Sequence, residues 1–446
     1  MTRRILFVGM QMSTHTARWI NQLADEGWDL HLFPMDHQPV IPEMRGVTIH
    51  QPWQMIRPRK ILRKLLSSTR DGNDRWFDVE SDVHPNKLPV KAIYPFPMLS
   101  PLTRVINKAL RVRFGESTAD APLFYGPHVL ARLIRRLKPD LIHSMEFQHC
   151  GYNVLRAKEL SHGKFPPWLA TNWGSDIYYF RQFEDHRAQI SRLLQNVDFY
   201  SCECHRDVGL ARELGMKATA MPVMPNTGGV DLGAIEKMRW ALPASRRGLI
   251  MVKGYQHFAG RALTALDAVE RCASLLDRFR IVVFSPSLET MVRATEMRDR
   301  LELNIELLPY ANHAKMLRLF SKARVYLGVS ISDAISTSML EAMAMGAFPI
   351  QTNTSCCDEW IVDGQSGFVI PPDDVEVIAD RLHRALTDDT LVDAAAAENW
   401  TTVCERLDSD VQKTRAVALY DEIFSKLNPG AISIANREVA DAINGA

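Results

Sequence analysis

Val325-Tyr-Leu-Gly-Val-Ser330-Ile-Ser-Asp333-Ala-Ile-Ser-Thr-Ser-Met-Leu-Glu341-Ala-Met-Ala-Met-Gly346-Ala-Phe-Pro-Ile-Gln351 reads as strand, loop, helix and strand. Val325 to Val329 is a short apolar run of the kind a buried parallel strand uses, and Phe348 to Gln351 is another. The helix between them runs from about Ser336 to Ala344. Its first turn offers the backbone amides of Ile335, Ser336 and Thr337, and the positive end of its dipole favours an anion. Two acids bracket that turn, Asp333 before the helix and Glu341 one to two turns inside it. An acid at each end of a diphosphate site can hold hydroxyls of a sugar and of a ribose. The plain alternative is a capping Asp and a surface Glu.

The same rhythm extends outward. Leu249 to Val252 and Ile281 to Phe284 read as strands and Ala262 to Leu276 as a helix. Val375, Ile378, Ala379, Leu382 and Ala385 have helical spacing. The chain also begins this way. Ile5 to Val8 is a strand, Gly9 to Thr14 a loop, and Ala17, Ile20, Leu23 and Ala24 one helix face with Gly27 beyond its end. Trp28 to Phe33 is the next strand. The pattern resumes at Leu141-Ile-His143, at a helix from about Tyr152, and at Trp168 to Thr171. Residues 50 to about 125 are rich in Pro, Arg and Lys and read as an insertion with short helices. Met221-Pro-Val-Met-Pro-Asn-Thr-Gly-Gly-Val-Asp231 is a turn-rich linker.

The expected fold is α/β, with two Rossmann-like, doubly wound domains facing a central cleft. The first spans 1–230 with the insertion and is the acceptor side. The second spans 231–405 and binds the nucleotide. Residues 406–446 form a helix returning toward the first domain, and a tail.

The 53 basic and 52 acidic residues leave a net charge of +1, which gives no global attraction for nucleic acid. The run after Met1-Thr-Arg-Arg is too short for a signal-peptide core, and no apolar window reaches transmembrane length, so a cytoplasmic location is expected. The seven cysteines match no disulfide framework and read as buried thiols. Cys202-Glu-Cys204-His205 lacks a second matching ligand pair, so no metal is expected. Two basic stretches, Arg57-Pro-Arg-Lys60-Ile-Leu-Arg-Lys64 and Leu102 to Arg113, interleave apolar residues. Each fits either a solvated helix on the first domain or contact with an anionic membrane surface.

The acid–seven residues–acid spacing of Asp333 and Glu341, with Leu340-Glu-Ala-Met-Ala344 and Gly346, resembles glycosyltransferase family 4. Asp358-Glu-Trp-Ile-Val-Asp-Gly-Gln-Ser-Gly-Phe-Val-Ile-Pro-Pro-Asp-Asp374 continues the likeness. Pro139-Asp-Leu-Ile-His143, Gly174-Ser-Asp176, Pro225-Asn226, Val230-Asp231 and the N-terminal His15 helix extend it more weakly. The resemblance implies a GT-B fold and a retaining transfer of sugar from a nucleoside diphosphate sugar, UDP- or GDP-linked, with no cofactor required. The acceptor hydroxyl would belong to a glycan or a lipid-linked glycan in bacterial-type polysaccharide or glycolipid assembly.

It also implies roles. Asp333 contacts the transferred sugar, Glu341 the ribose, and the amides at Ile335 to Thr337 the diphosphate. The family's Arg after a strand-ending Gly is missing, because Gly254 precedes Tyr255. Arg261 holds the family's Lys position, and Lys253 stands where it can replace the lost cation. A diphosphate leaving group needs such neutralisation. His149, on the loop after Leu141-Ile-His143, matches the family's cleft histidine, with Glu146 as second choice and His143 placed in the core. Asp176 and His15 are acceptor-side candidates, and Asp176 could equally cap a helix. Two further functions fit a nucleotide-sugar site: epimerisation, and binding without catalysis. A phosphorylase is disfavoured, because no lysine stands in the context its pyridoxal cofactor requires.

Overall fold

The computed structural model describes residues 2–35, 39–52, 85–93, 126–161 and 163–427. Both basic stretches, 57–64 and 102–113, lie outside the described residues.

The first sheet is parallel and contains β1 (Arg4–Gly9), β2 (Asp29–Pro34), β3 (Thr48–Pro52), β4 (Val90–Ile93), β5 (Leu141–Met145), β6 (Trp168–Thr171), β7 (Phe199–Ser201) and β8 (Thr219–Ala220). Their order is β4-β3-β2-β1-β5-β6-β7-β8. Val90–Ile93 was expected to belong to an insertion of short helices. It is instead an edge strand paired with β3, Ile49 lying beside Val90. Four residues, Val-Lys-Ala-Ile, are too short to show the alternation that announces a strand.

The second sheet contains β9 (Leu249–Lys253), β10 (Arg280–Phe284), β11 (Ile305–Leu308), β12 (Ala323–Gly328), β13 (Phe348–Thr352) and β14 (Phe368–Ile370), in the order β11-β10-β9-β12-β13-β14. In each sheet the first strand sits where the order reverses, β1 between β2 and β5 and β9 between β10 and β12. Loops leaving the carboxyl ends of these central strands open a crevice, where ligands of this architecture bind.

Six helices matter for the site: α1 (Thr14–Leu23), α2 (His205–Glu213), α3 (Ala262–Arg271), α4 (His313–Lys322), α5 (Thr337–Ala344) and α6 (Ser409–Leu427). α1 buries Ala17, Trp19, Ile20 and Leu23, and Ser13 caps its start by accepting from Thr16 N. α5 buries Met339 to Ala344 almost completely, which explains its run of small and flexible apolar residues.

The chain crosses between domains twice, side by side. Val230 pairs with Asp408: Val230 N donates to Leu407 O at 2.7 Å and Ser409 N to Val230 O at 2.9 Å. Gly229 has φ +75°, and a Cβ there would lie 2.6 Å from Leu407 O, so both its backbone angle and the contact require glycine. After the second crossing α6 packs on the first sheet, with Ala416, Leu419, Tyr420 and Ile423 joining Ile5, Phe7, Trp19 and Leu141 in one core.

Tyr420 also supplies a buried polar link. Trp19 Nε1 donates to its hydroxyl at 2.8 Å, and that hydroxyl lies 2.7 Å from His143 Nδ1. His143 is fully buried, and burial pushes its pKa down to about 3, so it is neutral. Tyr420→Phe should cost about 1–3 kcal/mol, because it leaves two buried groups without a partner. Urea denaturation checks this, and unchanged stability would mean that water replaces the hydroxyl.

Candidate functional site

The site is built where the loops after β9 and β12 meet the loops after β6 and β7. Lys253 ends β9, and its ammonium lies 3.6 Å from Asp333 Oδ2 and 3.5 Å from Ser336 Oγ. It also sits 5.1 Å from the centre of the Tyr255 ring. Desolvation alone would lower its pKa, but Tyr326, Asp333 and Tyr255 outweigh it, so the pKa is raised and the cation is kept. Gly254 follows. A Cβ there would come within 2.7 Å of Pro286 Cα, so packing against the loop after β10 is sufficient reason for this glycine.

The loop from Tyr255 to Arg261 is pinned alongside the acid-bearing loop. Ile331 N donates to Ala259 O at 2.8 Å, and Arg261 N to Val329 O at 3.0 Å. Arg261 stands at the N-cap of α3, and its Nη1 donates to His257 O and Gly260 O, carbonyls of its own loop. Lys253, not Arg261, is therefore the cation beside the Asp333 carboxylate.

Asp333 Oδ1 accepts from Ala334 N, and Ser336 is the N-cap of α5. Ser336 makes no side-chain cap; its hydroxyl turns inward to Tyr326 and Lys253. The helix starts at Thr337, one residue later than the sequence indicates; Ile335 and Ser336 are buried and Thr337 half-buried. Glu341 is not a surface residue: its side chain is 10% exposed, and Oε1 lies 2.8 Å from His313 Nε2 and 3.6 Å from Arg18 Nη2. Arg18 reaches across from α1, and His313 begins α4.

The first domain closes directly on this loop. A Cβ on Gly174 would stand 2.5 Å from Ala334 N and 2.8 Å from Asp333 Oδ1. Ser332 Oγ donates to Ser175 Oγ at 3.0 Å. Arg206, on the first turn of α2, donates to Asp333 O at 2.9 Å and Thr354 O at 2.8 Å while its Nε holds Asp207. Gly174→Ala should leave each domain folded but hold the closed arrangement open. Turnover should fall on the order of 10-fold, as expected for a sub-ångström misplacement of reacting groups. Small-angle scattering together with kinetics checks this; an unchanged turnover would show that the contact is dispensable.

The remaining candidates are placed unequally. His15 on α1 packs against Trp173, with ring centres 5.4 Å apart and the rings tilted by 58°. Burial and Arg18 lower its pKa, opposed by Asp333 and Glu341, which puts the imidazole within electrostatic reach of both motif acids. His149 lies in the turn after β5, 3.1 Å from Glu146 Oε1, with its side chain 70% exposed. The Glu146 hydrogen bond raises its pKa. Glu146 itself has φ +86° and accepts from the amides of His149 and Cys150, so its carboxylate is engaged in holding that turn. Asp176 is turned inward and accepts from Trp173 N at 2.8 Å and Phe147 N at 2.9 Å. It lies inside the short helix Ser175–Tyr178, whose N-cap is Gly174, so it caps neither that helix nor the next, and its buried carboxylate braces the turn after β5.

Arg18, His313 and Arg206 escaped sequence reasoning. Arg18 had a weak signal, standing three residues after His15 on the same helix face. His313 starts a helix and Arg206 lies in the first turn of another, each shortly after a strand's carboxyl end, where site groups gather.

A cavity of about 510 Å³ adjoins the Arg18–His313 contact, lined also by Asn21, Gly228, Ile235 and Leu317. Among the described residues no helix is long and apolar enough to cross a membrane.

Comparison with known proteins agrees with this geometry. The model of the family "Glycosyl transferases group 1" matches residues 264–401, and that of "Glycosyl transferase 4-like" matches 4–70 and 118–200. No curated protein matches the chain in sequence. Among solved structures, sucrose-phosphate synthase from Thermosynechococcus elongatus aligns with TM-score 0.64 at 13% identity, over 95% of this chain and 100% of that one. HepE from Anabaena, in complex with UDP-glucose, aligns with TM-score 0.58 at 12% identity, over 94% and 99%. A TarM variant from S. aureus, in complex with fondaparinux, alpha-GlcNAc-glycerol and UDP, aligns with TM-score 0.61 at 8% identity, over 94% and 99%. With a glycosyltransferase family model matching in each half and two facing Rossmann-like sheets beneath them, the chain has the GT-B fold and resembles the glycosyltransferases that share it.

Proposed function

We propose that the protein transfers a sugar, with retention, from a UDP-sugar to a glycan or lipid-linked hydroxyl, and that the donor lies between Lys253, the start of α5 and Glu341. The observation that carries this reading is the convergence of one retained cation, one helix N-terminus and two acids on a single cleft. The diphosphate sits at the amides of Ile335 to Thr337, where the helix dipole and the Lys253 ammonium offset its charge. Glu341 holds the ribose hydroxyls, and Asp333 faces the transferred sugar. As the glycosidic bond breaks, negative charge grows on the leaving phosphate. Lys253 and the helix end stabilise it, with Arg261 in a supporting position, and the phosphate takes the acceptor's proton on the same face. His15 stands on the acceptor side beside Trp173, with His149 farther out. The UDP and UDP-glucose complexes of HepE and TarM favour uracil as the base.

A thermal-shift screen of UDP, GDP, ADP and their sugars tests the donor, since a ligand that binds the folded state raises Tm. UDP and a UDP-sugar should do so; no shift from any of them removes the reading. The anomeric configuration of the product, read by NMR, tests retention. The two basic stretches extend the proposal to an acceptor at an anionic membrane surface. Co-sedimentation with anionic vesicles at low salt and release at high salt is the expected result; protein left in the supernatant at low salt leaves a soluble acceptor.

A further inference from the structure

Cys204 and Cys356 come from opposite domains and meet at the interface. Cys204 is the N-cap residue of α2 in the first domain, and Cys356 sits in the loop after β13 in the second. Their sulfurs and a Glu359 carboxylate oxygen all lie within 4.8 Å of one another, and both thiols are buried. Three such groups could ligate a metal, but Arg206 argues against it. Its guanidinium is electrostatically coupled to both sulfurs and is fixed there by Asp333 O and Thr354 O. A fixed cation opposes a divalent ion. Glu359 is already engaged, accepting from His205 N at 2.8 Å.

We propose that Cys204 and Cys356 form a reversible disulfide that locks the two domains closed. From within 4.8 Å the sulfurs must close to the bonded distance of about 2 Å. The oxidant is a small disulfide such as oxidised glutathione. One cysteine thiolate attacks it, forming a mixed disulfide and releasing one small thiol. The other cysteine thiolate then attacks the protein sulfur and releases the second. Two protein S–H bonds are lost, one protein S–S bond forms, and one small disulfide is reduced to two thiols.

The closed interface buries both sulfurs, and the Cys356 thiol together with burial pushes the Cys204 pKa up, so attack requires the open form. Closure then brings the resolving thiol into place. The bond would fix the same α2 turn that carries Arg206 to Asp333. Domain opening, by which substrates enter and leave, would stop.

The test treats the full chain with oxidised glutathione, then maps peptides by mass spectrometry without reduction. The expected result is a linked pair containing Cys204 and Cys356 that has lost two hydrogens and is reversed by dithiothreitol. Hydrogen exchange over 173–176 and 330–334 should slow in the oxidised protein, a readout that needs no donor or acceptor. Turnover should fall about 10-fold or more when opening is blocked, and recover on reduction. Cys204→Ala and Cys356→Ala should each keep the reduced protein's activity and lose the response, while Cys404→Ala, at the half-buried cysteine, should respond as wild type. If no such linked pair forms, the site is overturned. If the pair forms but exchange at the interface is unchanged, the lock is overturned. Neither outcome bears on the donor reading, which the nucleotide screen decides.

Discussion

Lys253→Met should lower turnover by about 10²–10³-fold while changing donor affinity much less, because the charge it offsets grows as the bond breaks. Met keeps the length and the apolar stem, so the end of β9 should fold unchanged. The expectation rests on Lys253 lying 3.6 Å from the Asp333 carboxylate and 3.5 Å from the α5 N-cap hydroxyl. Arg261→Ala should have a smaller effect, since that guanidinium is engaged with His257 O and Gly260 O. Steady-state kinetics at saturating donor separates the two. A normal turnover number for Lys253→Met, with a collapse for Arg261→Ala, would reverse their roles.

Glu341→Ala should weaken binding of the nucleoside diphosphate by about 1–3 kcal/mol, the loss of a hydrogen bond to a charged group. Calorimetry measures it directly. The change has a second consequence, because Glu341 also receives Arg18 and His313. Glu341→Gln separates the two functions: its amide oxygen can still accept from His313 but carries no charge for Arg18. If both variants fold and bind nucleotide as wild type, Glu341 serves only as the interdomain contact.

Much of this architecture was legible in the sequence. The central strands β1, β5, β6, β9, β10, β12 and β13 are short apolar runs flanked by loops, and burial on both faces leaves that signature in the residues themselves. The α5 segment was legible as well, since an acid before a helix and an acid inside it have a fixed spacing whatever surrounds them. Edge strands were not. Val90–Ile93 and Phe368–Ile370 are only four and three residues long, and pairing with a neighbour defines them more than composition does.

The site was half legible. Spacing and resemblance gave Asp333, Glu341 and the helix start, and they marked both cations. Which cation touches the acid depends on where two side chains point. Arg206, Arg18 and His313 depend on how one domain closes on the other, a contact between residues more than a hundred positions apart. Asp176 shows the reverse. Its position after a strand fits an acceptor group and a cap equally, yet its bonds go to two amides outside its own helix, whose cap is Gly174.

The return of α6 to the first sheet has a consequence for how the chain matures on the ribosome. Leu419, Tyr420 and Ile423 complete a core whose other members, Ile5, Phe7 and Trp19, are made some four hundred residues earlier. The second domain holds its own strands and most of its helices between residues 232 and 406 and can fold as soon as it emerges. The first domain must wait with the part of its sheet that α6 covers still exposed beside α1. At about 5–20 residues per second, the stretch from β8 to the end of α6 takes roughly 10–40 s to synthesise. During that time Trp19 Nε1 and His143 Nδ1 lack the hydroxyl that later joins them. Nascent chains stalled before Ser409 should therefore carry a folded second domain beside a first domain that still binds chaperone, and the older half of the protein becomes native last.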